Sequence, residues 1–344
     1  MAGLFLATLA SADSLEVREL PPLPEPVSNN AVVVVATPAG EFLISFAGLG
    51  EGKGHEDTLA TSWVYNDHGG EWVAGPPVPG GVGRLAATAA AAGRLAFVFG
   101  GYTVEEDGTE VSTPWVHAFD PQSRRFEERS PMPVPVDDAV AVTYEDRYIY
   151  LISGWHDSGN VNLVQRYDTV NDLWVQATPI PGPGVFGHSG GIVGNTIAYC
   201  DGVAIRPHAG RRREFAATDL CFSGTIDPED PRKIDWRTLP AHPGAPRYRM
   251  AATGSQELGT FIFVGGSDNP YNFNGIGYDG EPSQPSKGIL LLDLETGEWA
   301  SLESGSVATM DHRALVGFAG GFATAGGMLQ GQQTTDRVIV YFVE

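Results

Sequence analysis

A short apolar stretch ending in a pair of small residues recurs six times in this chain, at 42–48, 95–101, 148–154, 196–202, 260–266 and 322–327. Taken at the closing glycines Gly48, Gly101, Gly154, Gly202, Gly266 and Gly327, the steps are 53, 53, 48, 64 and 61 residues. After each of the first five comes a second apolar segment and then an aromatic: Trp72, Phe126, Trp174, Trp236 and Trp299. The intervening segment often closes on an acid, as at Asp120, Asp168 and Asp293, and prolines follow at Pro76-Pro77, Pro133, Pro181 and Pro240. A period near 50 residues marks an array of like units, none of which can bury both its faces alone. It constrains the fold more than any composition does.

Composition agrees. Gly 44 and Pro 25 make up about 20% of 344 residues, high for a globular chain but below the low-complexity range of about 25–30%. With 42% apolar residues there is ample surface to bury, which argues against disorder. One segment sets the repeat against intrinsic preference. Residues 84–97 include four consecutive alanines, 89–92, and would score as helix. Shifted by 53 residues they match 137–150, which alternates like a strand, so a hairpin turning at Gly93 is expected.

The glycine doublets Gly100-Gly101, Gly265-Gly266 and Gly326-Gly327, with an aromatic about 20–35 residues on, resemble the kelch family over essentially the whole chain. Ala47-Gly48, Ser153-Gly154 and Asp201-Gly202 stand in the other three repeats, where a small residue still meets a tight bend. The resemblance implies an all-β fold, a six-bladed kelch β-propeller of four-stranded antiparallel blades. The sixth repeat, ending at 337–342, lacks an outermost strand. Residues 15–20, followed by Pro21-Pro22-Leu23-Pro24, are expected to supply it and close the ring.

Residues 3–12 form an apolar run ending in A-x-A, similar to the back half of a secretory signal. Residues 1–12 are therefore read as a signal-peptide remnant and 13–344 as a single propeller, periplasmic or secreted. Cys200 and Cys221 fall nearly opposite one another in blade 4, within reach of a disulfide in an exported chain. No apolar run approaches 18 residues, so no membrane span is expected. The net charge of −21 argues against nucleic acid as a partner. A monomer is expected.

In an antiparallel blade the loop entering strand one and the loop leaving strand two lie at the same end of the channel. Asn30, Arg84, Asp138, His188, Arg249, His312 and Arg313 enter strand one in successive repeats. Tyr271 and Tyr278 sit in the long blade 5 loop at 268–287, and Arg211-Arg212-Arg213 form the one dense basic cluster. These converging polar and aromatic groups make the mouth the candidate ligand site. Arg84, Asp138, His188, Arg249 and Arg313 together would make it locally positive; alternatively, Arg and Asp at the blade entrances pair across the channel as staples.

No H-E-x-x-H, P-loop or G-x-S-x-G occurs, and the eight histidines show no ligand spacing, so neither metal nor cofactor is expected. Galactose oxidase-like chemistry, which the kelch resemblance brings to mind, needs a Tyr–Cys crosslink and a further domain, and both cysteines here belong to blade 4 strands. In size and layout the chain resembles the periplasmic sialic-acid mutarotase family. That family's proposed acid/base Glu aligns with Val203, and its Arg falls near Arg206 or Arg211–Arg213, so a proton carrier would have to come from Asp138, Glu214 or Asp311. Two readings of different class follow. The favoured one is an exported, non-catalytic propeller binding a carbohydrate or peptide at its mouth. The alternative is a mutarotase or isomerase acting on an acidic sugar.

Overall fold

The computed structural model describes residues 16–302 and 307–343. The signal-like segment at 1–12 lies outside these residues, as does Leu15. Six four-stranded antiparallel sheets form the blades of the described chain, and four two-stranded hairpins extend from them. Blade 1 runs through Ala31–Thr37, Gly40–Leu49, Thr58–Asn66 and Trp72–Ala74. Blade 2 is Thr88–Ala92, Leu95–Phe99, Val116–Asp120 and Arg125–Arg129; blade 3 is Val140–Tyr144, Tyr148–Ile152, Val164–Asp168 and Leu173–Ala177. Blade 4 is Ser189–Val193, Thr196–Cys200, Cys221–Ile226 and Ile234–Leu239; blade 5 is Ala251–Ser255, Thr260–Val264, Ile289–Asp293 and Trp299–Leu302. Blade 6 takes Val316–Phe318, Gly321–Ala325 and Val338–Phe342 from the C-terminal end and its outer strand, Glu16–Leu20, from the other end of the chain. Glu16 pairs with Phe342 and Leu20 with Val338, and Glu19 forms an ion pair with Arg337. The ring closes as the repeat implies.

Most of the hydrophobic core is divided among six seams, one between each pair of neighbouring blades, and two smaller clusters lie among the loops at the mouth. Strand two of each blade is buried on both faces, so successive residues serve opposite seams. Tyr150 and Ile152 pack toward blade 4, and Ile149 and Leu151 toward blade 2. That is why these strands read as continuous apolar runs rather than alternating ones. The repeated aromatic joins the seams at the rim. Trp72 donates its Nε1–H to the Pro21 carbonyl, Trp174 to Ser130, Trp236 to Thr178 and Trp299 to Pro240, each on the preceding blade's outer segment.

The alanine-rich segment is a strand pair, Thr88–Ala92 against Leu95–Phe99, with Gly93 at φ +60° in the turn. Small side chains suit strand one because it lines the narrow axis; tertiary position overrides helix preference there. Cys200 and Cys221 are register partners and form a disulfide.

Candidate functional site

The channel is organised by a ring of backbone. Just before strand one, each blade places one residue in the left-handed region: Asn29, Ala86, Asp138, Gly187, Arg249 and Asp311, with φ between 51° and 67°. The amides form a belt around the axis. Asn29 N–H donates to the Asp311 carbonyl, Ala86 to Asn29, Asp138 to Ala86, Gly187 to Asp138 and Arg249 to Gly187. A left-handed conformation costs a non-glycine residue of order 1–3 kcal/mol, and these positions hold it because the belt and the blade seams over-determine it. The next residue back, in each case, bridges to the chain leaving strand two: Ser28 to Leu49, Leu85 to Tyr102, Asp137 to Trp155, Phe186 to Val203, Tyr248 to Ser267, Met310 to Met328. Entry and exit loops thus meet at one mouth.

Three belt side chains and Arg313 close the axis. Arg249 reaches Asp138 at 2.6 Å and Asp311 at 2.8 Å, and Arg313 reaches Asp138 at 2.8 Å and Asp311 at 3.6 Å. All four side chains are at most 3% exposed. Burial alone would raise the Asp138 carboxyl, but Arg249 and Arg313 hold it below its ordinary value. Burial likewise opposes the charge on Arg249, yet Asp138 and Asp311 keep its guanidinium firmly protonated. The Arg249 plane also lies over the rings of Tyr248 and Tyr271, at 4.6 and 5.3 Å. Two positive and two negative charges make the quartet neutral, so the expectation of a positive mouth is corrected. That expectation set Arg84, Arg249 and Arg313 against Asp138 alone; it omitted Asp311, and Arg84 belongs to a blade seam.

Above the quartet, toward the mouth, is a cavity of about 190 Å3 formed by blades 2 to 5. Trp155, Phe186, Phe215, Phe273 and Tyr278 supply aromatic walls. Its polar groups are Tyr102, Glu110, Asp137, Asp138, Arg213, Arg249 and Asn272. Phe215 and Tyr278 stack at 4.4 Å, which ties the blade 4 hairpin (Val203–His208 with Arg211–Ala217) to the blade 5 loop. Asp137 accepts a hydrogen bond from Ser112 Oγ at 2.6 Å. Its carboxyl is pushed well up, first by burial and then by the neighbouring Asp138. Glu110, at the rim, is raised by desolvation as well.

Of the residues expected at the site, Asp138, Arg249 and Tyr278 line this cavity. Arg313 and Tyr271 stand behind it. Arg313 holds the quartet and donates to Asn29 Oδ1 at 3.0 Å; Tyr271 is fully buried against Tyr248. The other four belong to the blade seams. Asn30 donates to Ser45 Oγ and the Ala325 carbonyl, and Arg84 donates to the Gly100 carbonyl while lying over Trp115. His188 packs edge-on to Tyr199 with its pKa lowered by burial to about 4. His312 bonds Thr309 Oγ1 and is lowered by burial to about 3. Val203 is buried, and Arg206 is exposed opposite Glu214 in the hairpin. Sequence reasoning missed Glu110, Phe186 and Phe215. The Asp137-Asp138 doublet was its one signal for Asp137.

On the far side of the quartet the channel, about 320 Å3, is lined by strand-one residues such as Val33, Ala90, Thr143, Gly191 and Gly254. Among the described residues no three His, Cys, Asp or Glu side chains gather to hold a metal ion, and no helix is long and apolar enough to cross a membrane.

No family model matches the chain. Among curated proteins, it is 31% identical over 164 residues to Kelch-like protein 35 of Mus musculus, a match covering 48% of this chain and 25% of that one. It is 28% identical over 165 residues to Beta-scruin of Limulus polyphemus, covering 46% of this chain and 17% of the relative. The chain thus spans a quarter or less of these relatives' length. Among solved structures, that of YjhT superposes with a TM-score of 0.74 at 17% identity, covering 94% of this chain and 97% of the other. Together with the six closed blades and the rim tryptophans, these likenesses identify the chain as a kelch-repeat, six-bladed β-propeller.

Proposed function

We propose that this propeller binds a single carbohydrate unit in the mouth cavity and performs no chemistry on it. The observation that carries the reading is the cavity itself, a recess walled by aromatic rings with a few polar groups converging from four blades. Aromatic faces stack on the apolar face of a sugar ring while carboxyl, amide and guanidinium groups take its hydroxyls. Its size favours one sugar over a peptide segment: about 190 Å3 lies below the roughly 300–1,000 Å3 of drug-sized sites. The proposal includes export, which the Cys200–Cys221 disulfide supports, since such bonds persist in oxidising compartments.

A second reading, anomer exchange on an acidic sugar, has one observation in its favour. Asp137, its carboxyl raised by burial and by Asp138, is a group able to exchange a proton at the cavity wall. Against it, Asp138 and Asp311 are engaged by arginines, and Glu214 lies outside the mouth cavity. The deciding experiment is a calorimetric screen of neutral, amino and acidic monosaccharides, followed by NMR of anomer exchange on each ligand found. Binding lost in Trp155→Ala and Phe215→Ala, with exchange no faster than in buffer, supports the binding reading. Accelerated exchange replaces it with the second, and unchanged affinity in both variants removes the site from the mouth.

A further inference from the structure

The charges of the mouth say which sugar. Within the quartet every charge is matched, so Arg249 has nothing left to offer an anion. The groups left to meet a ligand are Asp137 and Glu110, with Arg213 as the remaining cation. Arg213 is not directed at those carboxyls. Its guanidinium lies over the rings of Trp155 and Phe215, at 5.0 and 5.2 Å, and donates to the Ser158 carbonyl. The aromatic wall therefore already holds a cation by the negative faces of its rings. Asp137 is 3% exposed; Oδ2 takes the Ser112 hydroxyl, while Oδ1 accepts no hydrogen bond among the described residues. A carboxyl oxygen that opens to a cavity and has no donor from the protein is free to take one from a ligand.

We infer that the bound unit carries a free ammonium group, an amino sugar rather than an acidic one, and that this group sits between Asp137 and Glu110 against the aromatic wall. The inference rests on the sugar-binding reading and narrows it. The groups that bear on Asp137 come from every neighbouring element. Tyr102 and Glu110 face it from blade 2 and Asp138 from its own blade; Arg249 and Tyr278 come from blade 5 and Arg213 from blade 4. Asp157 accepts from the Ser112 amide behind it. Burial, Asp138 and Glu110 raise its carboxyl, and an ammonium arriving there acts in the opposite direction and lowers it. The chain's net charge of −21 also favours the encounter with a cation over that with an anion.

The test is isothermal titration of the protein with glucosamine, glucose, N-acetylglucosamine, glucuronate and lysinamide, at about pH 6 in two buffers of different ionisation enthalpy. Glucosamine should bind about tenfold or more tighter than glucose or N-acetylglucosamine, with net proton release. Asp137→Asn should abolish both the preference and the release. Glu110→Gln, at the exposed rim and so no threat to folding, should reduce the preference severalfold. Glucose binding as tightly as glucosamine overturns the ammonium assignment and leaves the sugar site standing. Glucuronate binding tightest overturns it in favour of an anion, and lysinamide binding tighter than glucosamine in favour of a basic peptide. Failure of every sugar overturns the sugar-binding reading itself.

Discussion

Replacing Arg249 with alanine removes the hub of the axial quartet, and its cost can be worked from the contacts. The side chain makes charge-assisted bonds of 2.6 and 3.2 Å to Asp138 and 2.8 Å to Asp311. Without it Asp311, itself fully buried, keeps only the long contacts to Arg313 at 3.6 Å and to the Tyr271 hydroxyl at 3.5 Å. Breaking a buried pair from one side typically costs about 3–5 kcal/mol, because the remaining charge stays buried without its partner. Unfolding entropy of about 2.1 cal/mol/K per residue amounts to roughly 0.7 kcal/mol/K for this chain, so Tm should fall by about 4–7 °C. Differential scanning calorimetry at neutral pH reads this directly. The loss should persist at about 1 M salt, where exposed pairs are screened within roughly 3 Å but buried ones are not. Asp138→Ala combined with Arg249→Ala should cost less than the two changes taken separately, since each already removes the same bonds. A variant melting within about 1 °C of the parent, or strict additivity in the pair, would falsify the quartet as the staple of the axis.

Asp137→Asn should stabilise the protein at neutral pH. A carboxyl raised in the folded state makes stability fall as pH rises from its unfolded value of about 3.9 through its folded one, so the gain should vanish near pH 4 in pH-dependent melts. The buried histidines act in the opposite sense. His188 and His312, lowered to about 4 and about 3, oppose folding as pH drops below about 6.5, so His312→Gln should flatten the acid limb of the stability curve, and an unchanged limb counts against burial as its cause. Gly187→Ala should be severely destabilising, because its φ of +59° disfavours a side chain and the new methyl would fall inside the Tyr248 ring; wild-type melting of that variant rejects the belt geometry. Deleting residues up to Pro24 should unpair Val338–Phe342 and promote aggregation seen by light scattering, whereas a monodisperse truncation with the parent's Tm denies ring closure a stabilising role.

The repeat made the architecture legible because each blade solves the same packing problem with the same parts. The rim aromatic recurs since a tryptophan there both fills a seam and donates to the previous blade; Phe126 keeps the filling and forgoes the bond. Blade closure was legible from what the sixth unit lacks. The axial belt was only half legible. Its register runs through Asn29, Ala86, Asp138, Gly187, Arg249 and Asp311, and at Ala86 and Gly187 it has no polar side chain to announce it. In those two blades the nearest conspicuous residues, Arg84 and His188, stand two before and one after the belt, and their side chains turn into the seams. Glu110 and Phe215 were beyond reach for another reason. They lie in hairpins between strands two and three, where insertion lengths differ from blade to blade, so no period predicts which residue faces the mouth.

The quartet has a consequence for traffic. Asp138 and Arg249 form the floor of the mouth cavity, while Arg313 faces the chamber beyond, so the axis is a pair of blind vessels sharing one wall and not a pore. Whatever enters at the hairpin side must leave by the same door. A covalent tether that narrows that door, between the hairpin carrying Glu110 and the one carrying Phe215, should therefore slow arrival and departure by the same factor. Occupancy at equilibrium would not change, and only the time needed to reach it would lengthen.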